Sequence, residues 1–145
     1  SEKSILRGFE PERVLTFRSS VSLVKDLPAG ATVGYGKTYT LPRDSKVAPL
    51  SLGYGDGVPR DGGGKISVLI RGKRAPVIGR VSMDQAAIDG SDFDENAVGD
   101  EAIIVGGAGG DYISIEEYCG RLGITPAQAL TSITKRVARF YKTLY

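Results

Sequence analysis

The chain has 145 residues, 41% of them apolar and 25% charged, with a formal net charge of +2. That length supports one domain with its own core, and so small a net charge excludes a strongly basic nucleic-acid face or an acidic tail as the main basis of function. Histidine is absent and cysteine occurs once, which excludes a disulfide framework, a Cys/His zinc site and an internal Ser-His-Asp triad.

Residues 1–13 are weakly patterned and read as a linker or N-terminal extension, with one domain over 14–145. From Val14 the pattern has period two: Leu15, Phe17, Val21 and Leu23 share one face, opposite Thr16, Arg18, Ser20 and Ser22, as in a half-buried strand. Leu27-Pro28-Ala29-Gly30 is a turn. Thr32 to Thr40 reads as a second strand, with Val33, Tyr35 and Tyr39 on one side. Lys46 to Tyr54 reads as a third, with Ala48, Leu50, Leu52 and Tyr54 alternating. A glycine-rich loop over Gly55–Gly64 precedes the alternating Ile66, Val68 and Ile70. Gly72-Lys73 then turns the chain into Ala75–Val81. Ala86 to Asp89 and Glu101 to Val105 are further short strands, separated by a polar loop.

After Tyr112 the character changes. Ser114-Ile115-Glu116-Glu117 has the spacing of a capping box, and the helix that follows should end at Gly123. Thr125-Pro126-Ala127-Gln128 repeats that chemistry with proline at the first helical position, predicting a second helix from Pro126 to about Arg136. Ala129, Leu130, Ile133 and Val137 are spaced for its buried face. Short strands with frequent turns, followed by two short helices, predict a mainly β fold: a Greek-key, β-barrel-like domain with two short C-terminal α-helices. No run approaches the ~20 apolar residues that span a bilayer, and no signal peptide is evident. A cytoplasmic location without a membrane partner is therefore the expectation.

Twenty of the 145 residues are glycine, about 14% against an average of ~7%. The run Gly106 to Gly110 matches neither a dinucleotide fingerprint nor a P-loop and reads as a flexible turn. Asp92, Asp94 and Asn96 have calcium-loop spacing, but Ala97 stands where such a loop needs glycine, so no metal site is expected. Cys119, on the apolar side of the first helix, reads as a buried, inert thiol. Three clusters remain. Val33-Gly34-Tyr35-Gly36-Lys37-Thr38-Tyr39 and Ser51-Leu52-Gly53-Tyr54-Gly55-Asp56-Gly57-Val58-Pro59-Arg60 each place a tyrosine between glycines. Ile78-Gly79-Arg80-Val81-Ser82-Met83-Asp84-Gln85 holds the single methionine between opposite charges. Singly, each fits packing. Together they suggest a rim where phenols, a cation and a carboxylate meet.

In this order and spacing, these clusters, with Gly99-Asp100-Glu101 and Lys135-Arg136-Val137-Ala138-Arg139, resemble the C-terminal domain of alanine racemase and related pyridoxal-phosphate amino-acid racemases, over roughly Val14 to Tyr141. The resemblance implies a cytoplasmic isomerase that makes D-alanine for peptidoglycan precursors. It implies a homodimer in which each active site joins one subunit's barrel to the other's C-terminal domain. The barrel holds pyridoxal 5'-phosphate on a lysine, and the cofactor is the electron sink. The partners of this chain are thus a cofactor-binding barrel, a second subunit and a small amino acid, with no nucleic acid. No cofactor-binding residue is expected in this chain.

Tyr35 matches the family's catalytic tyrosine, which works on one face of the substrate α-carbon. A free phenol ionises near pH 10, so work as a base near pH 7 needs about 3–4 kcal/mol of differential stabilisation of its anion. A cation on the barrel is the implied source. Met83 matches the position whose backbone amide binds the substrate carboxylate. Tyr54, Arg80 and Asp84 match residues at the active-site entrance. Asp56 and Arg60 are assigned to loop structure. Three positions depart from the family pattern: Ala127 replaces a tyrosine that hydrogen-bonds the cofactor phosphate, Ser82 a common cysteine, and Ala138 a usual proline. Two other readings fit parts of the pattern: a standalone β-barrel interaction module, and a domain of another two-domain pyridoxal-phosphate enzyme such as a decarboxylase. The isolated chain is expected to be inactive.

Overall fold

The structure is a computed structural model and describes residues 12–143. Of the expected N-terminal extension, residues 1–11 lie outside the described residues. The chain forms strands β1 (Phe17–Ser20), β2 (Lys25–Leu27), β3 (Thr32–Val33), β4 (Tyr39–Thr40), β5 (Ser45–Leu50), β6 (Ser67–Ile70), β7 (Lys73–Ile78), β8 (Ala86–Asp89), β9 (Glu101–Ala108) and β10 (Asp111–Ile113). Helices α1 (Ile115–Leu122) and α2 (Pro126–Ser132) follow.

The main sheet has the order β1-β9-β6-β7-β8-β5-β2, with β10 paired to β9, and every pairing is antiparallel. The run β9-β6-β7-β8 has the spatial order of a Greek key. Beyond β1, Val21 bridges Leu50 of β5, Ser22 donates to the Pro49 carbonyl at 2.9 Å, and Ser51 donates to the Ser20 carbonyl at 3.1 Å. The sheet therefore curls until its two ends almost meet. This is the barrel-like, mainly β architecture expected, although the ladders do not close into a barrel. Among the described residues no helix is long and apolar enough to cross a membrane.

One large core fills the inside of the curled sheet, with Leu50, Leu69, Ile70, Ile88 and Ile104 fully buried and Tyr118, Cys119 and Ala129 covering it from the helices. β5 and β7 bury both faces. Ala48, Leu50 and Val77 face this core, whereas Val47 and Ile78 form a second cluster with Val33 and Leu41. That smaller cluster seats the β3–β4 hairpin on the outside of the sheet, and the hairpin carries Tyr35.

The helix signals act as their chemistry requires. Ser114 Oγ accepts from Glu117 N, and Gly123, left-handed at φ 70°, closes α1. Only half of the first capping box forms, because the Glu117 carboxylate pairs with Arg74 instead of reaching back to its own cap. The Thr125–Gln128 box is complete. α2 stops at Ser132 and not near Arg136: the Thr134 hydroxyl donates to the Gly55 carbonyl at 2.7 Å and its amide to the Asp56 carbonyl at 3.3 Å, so the chain leaves the helix to hold another loop. Ala129 is buried as expected, but Leu130 is exposed.

Several strand expectations are revised. Thr32–Thr40 is a hairpin, because Gly34, Gly36 and Lys37 are all left-handed (φ 86°, 76° and 55°), which no strand tolerates. The first strand breaks after Ser20, and Leu23 is exposed. The third ends at Leu50, and Tyr54 begins a 3-10 turn over Tyr54–Asp56. Val68, Leu69 and Ile70 are all buried, so β6 does not alternate. Gly106 and Gly107 continue β9, leaving Gly109-Gly110 as the turn.

Candidate functional site

Three loops converge at one rim of the sheet. The first is the β3–β4 turn bearing Tyr35, the second runs from Gly53 to Arg60, and the third from Gly79 to Gln85 lies between them. Backbone contacts fasten the set. Tyr35 N donates to the Arg80 carbonyl at 3.3 Å, and Arg80 N donates to Thr38 Oγ1 at 3.1 Å. On the other side, Tyr54 N donates to the Ser82 carbonyl and Gly55 N to the Met83 carbonyl, both at 2.9 Å. Val81 N donates to the Arg60 carbonyl at 3.0 Å.

Two glycines permit this convergence. A Cβ on Gly34 would stand 2.6 Å from Arg80 N, and one on Gly53 would stand 2.2 Å from the Ser82 carbonyl oxygen. Both neighbours are backbone, so any side chain would push the loops apart. The glycine preceding each of the two tyrosines is thus a contact point between main chains.

The rim brings Tyr35, Tyr54, Arg80, Met83 and Asp84 together, all exposed. Tyr35 is 63% exposed and Met83 51%. Exposed phenol and thioether side chains on rigidly held loops differ from the packing role that either residue usually fills. The Arg60 guanidinium lies over the Tyr35 ring at 5.6 Å from its centroid. Arg80 reaches over the same turn, where a Cβ on Gly36 would be 3.7 Å from Nη1. Among the described residues the Met83 amide has no protein acceptor, while its carbonyl is occupied by Gly55.

Asp56 has the structural part expected of it: Oδ2 accepts from Gly53 N at 2.8 Å and shapes the 3-10 turn. Arg136 is the residue that sequence reading missed. Its Nη2 lies 2.5 Å from Asp84 Oδ1 and its Nε 3.4 Å from Asp56 Oδ1. The hydrogen bond to Asp84, and then the Asp56 charge, hold its guanidinium above its ordinary pKa. Lys135-Arg136-Val137-Ala138-Arg139 was visible as a motif, but nothing local says that its second residue reaches Asp84, 52 positions away.

Ala127 is exposed on the first turn of α2 and offers only a methyl group. Asp94 stands at the N-cap position of a 3-10 turn over Glu95–Ala97 without a side-chain capping bond, and its Oδ2 accepts from Asn96 Nδ2 at 3.2 Å. Among the described residues no group of three or more potential acidic or sulfur ligands clusters around a common point.

Known proteins resemble this chain in both sequence and fold. It is 42% identical over 127 residues to alanine racemase from Symbiobacterium thermophilum, covering 88% of this chain and 34% of that protein. It is 37% identical over 141 residues to alanine racemase from Vibrio cholerae, covering 97% and 37%. The chain spans about a third of the length of the curated relatives it matches. The crystal structure of alanine racemase from Bacillus anthracis with bound L-Ala-P superposes with a TM-score of 0.83 at 32% identity, over 90% of this chain and 33% of that one. Histidine racemase from Leuconostoc mesenteroides superposes with a TM-score of 0.84 at 26% identity, over 94% and 36%. The family described as alanine racemase, C-terminal domain, matches residues 14–141, and the chain belongs to that family.

Proposed function

We propose that this chain is the C-terminal part of a pyridoxal-phosphate amino-acid racemase acting on alanine or a similarly small amino acid. It supplies the Tyr35 phenol and a substrate entrance to an active site completed by a barrel domain on a second subunit. The observation that carries this reading is the rim itself: an exposed phenol whose backbone is fastened to the same segment that carries an amide with no protein acceptor among the described residues.

Racemisation needs proton carriers on opposite faces of one carbon. Tyr35 Oη serves one face, taking the α-proton in one direction and returning it in the other. The Met83 amide is available to the substrate carboxylate, with Arg60 and Arg80 adding positive charge beside it. Tyr54 and Asp84 narrow the entrance and favour a small zwitterion over bulkier solutes. The cofactor belongs to the other unit, as does the second proton carrier. One relative of this fold, the alanine racemase from Bartonella henselae, was solved with covalently bound pyridoxal phosphate.

The experiment is steady-state racemisation of L- and D-alanine by the complete enzyme that carries this chain and by the 145-residue chain alone. The complete enzyme should turn over and the isolated chain should not. Tyr35→Phe in the complete enzyme should lower kcat much more in one direction than in the other. Turnover by the isolated chain, or small equal losses in both directions, contradicts this assignment. The interaction-module alternative instead expects turnover to be indifferent to Tyr35.

A further inference from the structure

The rim segments are unevenly charged. They carry Lys37, Arg60 and Arg80 against only Asp56 and Asp84, and Arg136 reaches them from the segment after α2. Among the described residues, Lys37, Arg60 and Arg80 have no carboxylate within ion-pair distance, whereas both acids pair with Arg136. Asp84 is largely exposed, and Asp56 mostly buried. The Arg136–Asp84 pair is the exposed one, and such a pair adds little to folding stability. The loop that it touches is held without it, by Thr134 on the Gly55 carbonyl, Ser132 on the Gly57 carbonyl at 3.1 Å, and the Tyr54 and Gly55 amides on segment 82–83. The loop thus has anchors besides the Arg136 pairs.

We infer that Arg136 neutralises Asp56 and Asp84, so that neither meets the carboxylate of an incoming amino acid as an unpaired charge at the rim around Tyr35. The inference rests on the racemase reading of the rim and adds to it a determinant of substrate affinity. On this account Arg136 acts through the two aspartates that it contacts, as a positioning residue does. Removing its charge leaves two uncompensated carboxylates beside the entrance, which repel a substrate carboxylate. Binding should weaken, while the proton transfer at Tyr35 Oη proceeds as before once substrate is in place.

The test uses the complete enzyme with Arg136→Met and Arg136→Lys. Arg136→Met should raise KM for alanine about tenfold with kcat held within about threefold, and Arg136→Lys should keep KM within about threefold of the parent. Amide hydrogen exchange at Tyr54 and Gly55 should be unchanged in both variants, because other contacts hold the loop. An unchanged KM in Arg136→Met, equal KM losses in the two variants, or faster exchange that tracks the loss of affinity each overturns the assignment to charge. A parent enzyme without racemase turnover overturns the racemase reading, and this inference with it. A fully active parent with an unaltered Arg136→Met variant removes only the inference.

Discussion

The amide of Tyr35 donates to the carbonyl of Arg80 at 3.3 Å, and this one bond fastens the phenol-bearing turn to the segment that leads to Met83. It exists because two main chains approach at Gly34 more closely than any side chain allows. The orientation of the tyrosine is thus a property of backbone packing, with the Val33–Leu41–Val47–Ile78 cluster beneath it.

Gly34→Ala should destabilise the chain by about 1–3 kcal/mol, since it combines a left-handed φ of 86° with a Cβ driven against the Arg80 amide. Gly30 is the control: its φ is 83°, but nothing lies within 4 Å of a Cβ there, so Gly30→Ala should cost less. Urea unfolding midpoints of the two variants measure the difference. Equal shifts would mean that the contact with Arg80 adds nothing.

Arg74 ties β7 to β10 and α1, with Nε 2.7 Å from Asp111 Oδ2 and a second pair to Glu117. Hydrogen bonds from Arg74 hold both carboxyls below their ordinary pKa. Carboxyls lowered in the folded state contribute stability above their unfolded values, near pH 4, and lose it as pH falls through the lowered values. The gap in unfolding midpoint between the parent and Arg74→Gln should be constant from about pH 7 to 5 and shrink below about pH 4. A gap that persists unchanged to about pH 3 would assign it to packing of the arginine stem.

Cys119 is buried under α1, and burial foremost, then the Glu116 charge, pushes its thiol pKa up. Thiolate, the reactive form, is scarce at neutral pH. A thiol reagent at pH 7 should leave the native chain unlabelled and modify it fully in denaturant. Rapid labelling of the native chain would mean that α1 opens easily.

Much of this protein was readable in one dimension. The Thr125–Gln128 box and the Ser114 and Gly123 caps lie within a few residues of their partners, so local chemistry suffices to place them. The ordered series of glycine–tyrosine and arginine–methionine–aspartate clusters carried the family resemblance that the comparisons bear out.

Other features depended on contacts distant in sequence. Val33, Tyr35 and Tyr39 alternate as a strand would, yet the chain folds there into a hairpin. Glycine suits either form until Gly79 and Arg80 pack against it. α2 retains helical spacing past Ser132 but ends there, because Thr134 finds acceptors on the Gly55 and Asp56 carbonyls. The pairing of Arg136 with Asp56 and Asp84 is of the same kind. Composition and periodicity determined the mainly β class and the two helices, since each is a local preference summed along the chain. Strand order, the gathering of the rim and the charge balance around Tyr35 were decided by tertiary structure, because each is a contact between segments whose spacing in the chain says nothing of their distance in space.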